Sequence, residues 1–167
     1  MIDNQDRLGN RTDEAELRYL RAADYAQQGL YAEAETEFIA VLGMNPLLHT
    51  ARFQLGLLQL TCGKPDQARA TWAPLHQATV ASDLQYFVGG LEALICDDFG
   101  TSINLLQAGI ELNKTNPALN KDMAMVIAKI QATIATPAAQ PPSIKPADET
   151  TTNPVRTDFS LYGDKAN

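Results

Sequence analysis

At 167 residues, 45% of them apolar, the chain has the size and oil content of one folded domain with a single continuous core. Its net charge of −7 and lack of any Lys/Arg run argue against a nucleic-acid partner, because phosphate binding draws on clustered cations. Residues 1–10 carry no positive segment followed by an apolar stretch, and no window approaches the roughly eighteen unbroken apolar residues of a membrane span. A cytoplasmic chain without membrane insertion is therefore expected.

In chain order, a polar leader (1–12) gives way at Asp13, which with Glu16 three residues on has the pattern of a capping box opening a helix. Leu17, Leu20, Ala23 and Tyr25 recur at helical spacing as far as Gly29, a stop that tolerates left-handed backbone. A second helix carries Ala32, Ala34, Phe38, Val41 and Leu42 to Gly43, and Asn45 with Pro46 reads as the N-cap and first turn of the next. That one runs through Phe53, Leu55, Leu57, Leu58 and Leu60 to Gly63, and Pro65 starts its partner with Ala68, Trp72 and Leu75. Pro74 lies inside the partner, where it removes a backbone hydrogen bond; at a cost of ~3 kcal/mol it should kink or end the helix.

A third unit begins at Ser82, whose Gln85 completes another capping box, and passes Tyr86, Gly90, Leu94 and Ile95 to a turn at 97–100. Its return helix holds Ile103, Leu106, Ile110 and Leu112. Asn116 and Pro117 repeat the earlier cap signature, and Leu119, Met123, Val126, Ile127, Ile130 and Ile134 mark one face of a last helix without a partner after it. Such a helix is expected to cover the open core edge of the unit before it. From Thr136 on, five of the nine prolines fall among Thr, Ala and Asp, so 136–167 is expected to be disordered. Within it, Val155, Phe159, Leu161 and Tyr162 are more apolar than a solubilising tail needs, and form a candidate docking motif.

These units repeat. Gly29, Ala34 and Phe38 return as Gly63, Ala68 and Trp72, each shifted by 34 positions, the period of a stacked helix-turn-helix solenoid. The repeats fall at about 15–48, 49–82 and 83–116, with a capping helix at 117–135. Cys62 and Cys96 are also 34 apart, one repeat-width from each other; stacked helices sit about 8–10 Å apart, too far for a disulfide, so two buried structural thiols are expected.

The chain resembles the tetratricopeptide repeat family, whose pattern is W-x-x-L-G-x-x-Y, then A-x-x-x-F, then P. The second unit has Leu55 and Gly56 in the L-G places, Ala68 in the A place and Trp72 in the F place. The first has Tyr25, Ala34, Phe38 and Pro46, but Arg18, Arg21 and Ala22 where W, L and G would stand. In the third, Tyr86 and Gly90 take the W and G places, and Ser102 and Leu106 those of A and F. The resemblance covers about 13–135 and implies an all-α solenoid of three repeats whose first helices line a concave groove.

Carried over by the 34-residue shift, the lining rows are Tyr19, Phe53 and Phe87; Ala23, Leu57 and Leu91; and Ala26, Leu60 and Leu94. The implied function is a non-enzymatic adaptor or chaperone that takes an apolar segment of a partner protein. Each anchor would contribute ~1.5–3 kcal/mol, less ~2–5 kcal/mol for ordering the ligand. Some family members grip a C-terminal carboxylate with Lys, Arg and Asn; here those places hold Tyr19, Ala23, Gln54, Leu84 and Val88, so that partner class is not expected. In size, charge and repeat number the chain is also similar to the chaperones of type III secretion translocators. The alternative is a structural or self-associating subunit of a larger bacterial assembly, such as a secretion or pilus system.

An enzyme is the poorest reading. His49 and His76 are the only histidines, no metalloprotease, Cys-His or phosphate-loop pattern occurs, and Gly89 and Gly90 lie inside a helical run, where they permit close packing. Asp97 and Asp98 sit at a turn, where such residues are common, so neither metal nor cofactor is expected. Glu33, Glu35 and Glu37 read as a solvated helix face.

Overall fold

A computed structural model describes residues 4–77, 80 and 82–135. All regular structure among them is helical: α1 (Asn4–Gln27), α2 (Tyr31–Met44), α3 (His49–Thr61), α4 (Pro65–Trp72) with a 3-10 extension (Ala73–His76), α5 (Ser82–Ile95), α6 (Phe99–Leu112) and α7 (Pro117–Ala135). Helices α1 and α2, α3 and α4, and α5 and α6 pack as pairs; α3 also packs on α2 and α5, and α7 on α6.

The three hairpin turns share one geometry at the 34-residue spacing. Gly29, Gly63 and Asp97 each adopt left-handed backbone, with φ of 77°, 71° and 57°. Beyond each, the next amide reaches back five residues: Leu30 N–H to Tyr25 O (2.9 Å), Lys64 to Gln59 (2.9 Å) and Asp98 to Ala93 (3.0 Å). This closes the orphan carbonyls of the finished helix. The following helix then opens with Ala34, Ala68 and Ser102 donating to the carbonyls of Leu30, Lys64 and Asp98.

Packing within the pairs repeats too. A small residue on the first helix (Ala22, Gly56, Gly90) and a large one on the second (Phe38, Trp72, Leu106) are all buried. A Cβ on Gly56 would run into the Trp72 indole, and one on Gly90 would lie 2.7 Å from Leu106 Cγ, so these glycines set the approach of the helices. Two apolar clusters result. Ala22, Ala26, Ala34, Phe38 and Val41 meet Ala51, Leu55 and Leu58 of α3. The other face of α3, Phe53 and Leu57, joins Trp72, Phe87, Leu91 and Leu106 and continues to Leu119, Met123, Val126 and Ile130 of α7. Helix α3 is thus buried on both sides and couples the two halves.

Several local expectations need correction. Helix α1 starts at Asn4, not at Asp13: residues 4–12 contain no proline and only Gly9 as a poor helix former, so the helix runs on through the supposed cap. Helix α3 starts at His49, because Asn45 Oδ1 accepts from Leu47 N (3.2 Å) in a tight turn and does not cap the helix. The same dipeptide at Asn116 and Pro117 does start one, with Asn116 Oδ1 accepting from Leu119 N (3.1 Å). Gln85 closes no capping box with Ser82; its amide donates to the carbonyl of Gln77. Pro74 acts as expected: α4 ends at Trp72 and the chain tightens into 3-10 form.

Candidate partner-binding surface

The aromatic row does not line an open groove. Phe53 and Phe87 are 0% exposed, with ring centroids 6.1 Å apart, and Phe53 also stacks on Trp72 at 6.2 Å. Leu57, Leu84 and Leu91 are buried with them. The cause is packing between consecutive first helices: α3 meets α5 directly, so residues that would face a ligand face each other. Of the other lining residues, Ala26 is buried, Leu60 and Leu94 are half-buried against the core, and Ala23 and Tyr19 are half-buried on α1. Tyr19 meets Phe38 edge-on at 5.9 Å, and burial pushes its hydroxyl pKa up. Val155, Phe159, Leu161 and Tyr162, with the rest of 136–167, lie outside the described residues.

Tyr19 leads to a different surface. Together with Ala15 and Glu16 on α1 it forms one wall of a cleft of about 320 Å³, whose other wall is Asn45, Leu48 and Thr50 from the α2–α3 turn and the start of α3. Ala15, the Tyr19 ring and Leu48 give it an apolar floor, Asn45 and Thr50 hydrogen-bonding groups, and Glu16 a carboxylate. Large apolar side chains stand in water close by in sequence: Leu20, four residues and hence one turn from Glu16, is 58% exposed, and Leu47, next to Leu48, is 76% exposed. Leu17 is 59% exposed on α1 as well.

Ion pairs hold the α1 wall against α2. Arg18 and Arg21 each donate to Glu37 (3.2 and 3.1 Å), and Arg18 also pairs with Glu14 one turn earlier. Glu35 accepts from Lys64 Nζ (2.8 Å) and from the Gln59 amide (3.1 Å), while the Thr71 hydroxyl donates to the other end of that buried amide (2.7 Å). Glu35 and Glu37 therefore bridge helices and do not belong to a solvated face. Asp97 and Asp98 serve the α5–α6 turn: hydrogen bonding from Thr101, its side chain first and then its backbone N–H to Asp98 Oδ1 at 3.1 Å, lowers the Asp98 carboxyl's pKa. His76 lies on the surface, 3.1 Å from Glu92.

The two cysteines are exposed, not buried. Each sits just past the C-terminal end of a first helix, at the solvent-facing rim of a hairpin turn. Among the described residues no group of three or more His, Cys, Asp or Glu is placed to share a metal ion, and no helix is long and apolar enough to cross a membrane.

No family model, curated protein or solved structure matches the chain. The cleft residues Ala15, Glu16, Asn45, Leu48 and Thr50 escape the repeat-based reading because they belong to α1, the α2–α3 turn and the start of α3, outside the lining rows that the 34-residue shift carries over. The available signal is Leu47 and Leu48, an apolar pair directly after Pro46 where a turn is ordinarily polar.

Proposed function

We propose that the chain is a tetratricopeptide-like helical repeat protein that works as a protein-binding module, and that the cleft between α1 and the α2–α3 turn receives an apolar segment of its partner. The observation that carries this is the cleft at Tyr19 and Leu48 with Leu20 and Leu47 left in water nearby. Exposed apolar surface beside a concavity is a mark of association, and one or two well-buried anchors supply most of a binding energy. The repeated left-handed turns and small-on-large packing support the repeat reading. An adaptor or chaperone role fits reversible capture of such a segment.

The test is Leu20→Glu with Leu47→Glu, both at exposed positions. Partner capture from the native cell should be lost while helicity and melting temperature stay put; equal capture by the double variant rejects the cleft.

A second reading, self-association within a larger assembly, is favoured by Leu17 and Leu20, which lie three apart on α1 and are both more than half exposed. Light scattering decides between them. A dimer that persists on dilution and is broken by Leu17→Glu supports the structural subunit, and a monomer across the range supports the adaptor.

A further inference from the structure

We propose that residues 155–162 of this same chain are a ligand of the α1/α3 cleft, with Phe159 as the inserted side chain, so that the protein covers its own binding site. This rests on the cleft being a binding site at all.

Three observations point to that occupant. The first is chemical fit. The cleft of about 320 Å³ has apolar walls in Ala15, Tyr19 and Leu48, hydrogen-bonding groups in Asn45 and Thr50, and a single carboxylate, Glu16. The segment Val-Arg-Thr-Asp-Phe-Ser-Leu-Tyr holds both aromatic residues of 136–167, with Leu161 beside them. An aromatic ring stacked on Tyr19 accounts for the floor of the cleft. Arg156, three residues before Phe159, can pair with Glu16, while Asp158 would have to point to solvent.

The second is reach. Helix α7 ends at Ala135, and twenty residues later the chain is at Val155. Packed neighbours lead from α7 through α6, α5, α3 and α2 to α1. Five such steps of 8–10 Å put at most ~50 Å between the end axes, inside the ~66 Å that twenty extended residues span.

The third is tethering. A flexible twenty-residue linker has a relaxed end-to-end distance of ~25 Å, so a span of up to ~50 Å holds its effective concentration below the ~1 mM of a length-matched linker; at ~0.1 mM, an intrinsic affinity of ~10 μM fills the cleft about nine times in ten. A partner must then displace the segment, which makes capture selective for ligands that bind better than the chain's own.

Hydrogen exchange on the full chain tests this, because the first amides of α3 lack intrahelical acceptors and report directly on what covers them. Wild type is compared with a full-length Phe159→Ser/Leu161→Ser/Tyr162→Ser variant, to which a synthetic peptide of residues 153–164 or a scrambled peptide of the same composition is then added. The expected result is that the amides of His49 and Thr50, at the start of α3, exchange about tenfold faster in the variant, as loss of a nine-tenths-filled contact requires. The difference should be independent of protein concentration, and the native peptide alone should restore protection. Equal exchange in the two chains overturns the proposal, and so does protection that fades on dilution, which would place the segment of a second copy in the cleft. If the scrambled peptide protects as well as the native one, the cleft stands as an apolar site and its own-segment specificity falls. If neither peptide protects, both readings fall together.

Discussion

The indole of Trp72 lies directly on the backbone of Gly56, and its Nε1 donates to the carbonyl of Phe53 at 3.1 Å. The ring is fully buried, so neither partner has room to withdraw. Gly56→Ala would drive a methyl group into it, and overpacking of this kind costs ~1–3 kcal/mol. The midpoint of denaturant unfolding should fall accordingly. In the first pair Phe38 and Ala22 share one core cluster and Ala22 already carries that methyl, so Ala22→Gly should cost ~1 kcal/mol of helix propensity plus ~1 kcal/mol for the buried methyl lost. A Gly56→Ala variant that unfolds at the wild-type midpoint would show that the close approach at Gly56 is not what fixes the α3/α4 pair.

The three left-handed turn residues make a second comparison. Gly63 at φ 71° adopts its conformation without strain, whereas Asp97 at φ 57° bears a side chain in the same place. Gly63→Ala should destabilise by ~1–2 kcal/mol. Asp97→Gly should be neutral or stabilising by up to ~1 kcal/mol, the relief of strain offset in part by the entropy of glycine. Thermal melts of the two variants check the opposite signs.

The bridge of Lys64, Glu35, Gln59 and Thr71 joins α2, α3 and α4 around a buried amide. Hydrogen bonding from Lys64, chiefly, and from Gln59 holds the Glu35 carboxyl below its usual pKa, against the opposing effect of burial. A lowered folded-state pKa means stabilisation that is full above the unfolded value and is lost as pH falls through the folded one. Glu35→Gln should thus be less stable than wild type at pH 7, with the gap closing below about pH 4. The gap should be modest, because Lys64 is 41% exposed at its side chain and such pairs yield ~0–1 kcal/mol. Thr71→Val should cost more, ~1–3 kcal/mol at either pH, since it leaves the Gln59 carbonyl buried without a donor. Melting curves at pH 7 and pH 3.5 separate the two effects.

Element order was readable because it depends on local signals: Gly29 and Gly63 end helices, Pro65 and Pro117 begin them, and Pro74 cuts one short. The candidate site was not, because aromatic residues 34 positions apart meet different surroundings. Tyr19 is half-open while Phe53 and Phe87 are closed over by one another. A 34-residue shift carries backbone conformation faithfully, since turns are made by a few neighbouring residues. It does not carry exposure, which is set by whatever helix lies alongside.

The cysteines are an exception, because they keep the same exposure 34 residues apart. Cys62 and Cys96 occupy equivalent places after Thr61 and Ile95, and both are exposed. Cys96 Sγ accepts from Arg69 at 3.0 Å, whereas the Cys62 thiol has its pKa raised by partial burial, with Glu35 adding to the effect and Lys64 opposing it. Only the thiolate attacks a disulfide reagent. Both thiols should therefore react in the folded chain without denaturant, giving two equivalents of released chromophore. In a Cys96→Ser variant the remaining rate should keep climbing with pH past the ordinary thiol value of about 8.5. Glu35→Gln in that background removes the neighbouring carboxylate and should bring the midpoint down, if Lys64 keeps its place. Thiols that react only after unfolding would mean that both lie inside the core, and that the hairpin rims are packed more tightly than described.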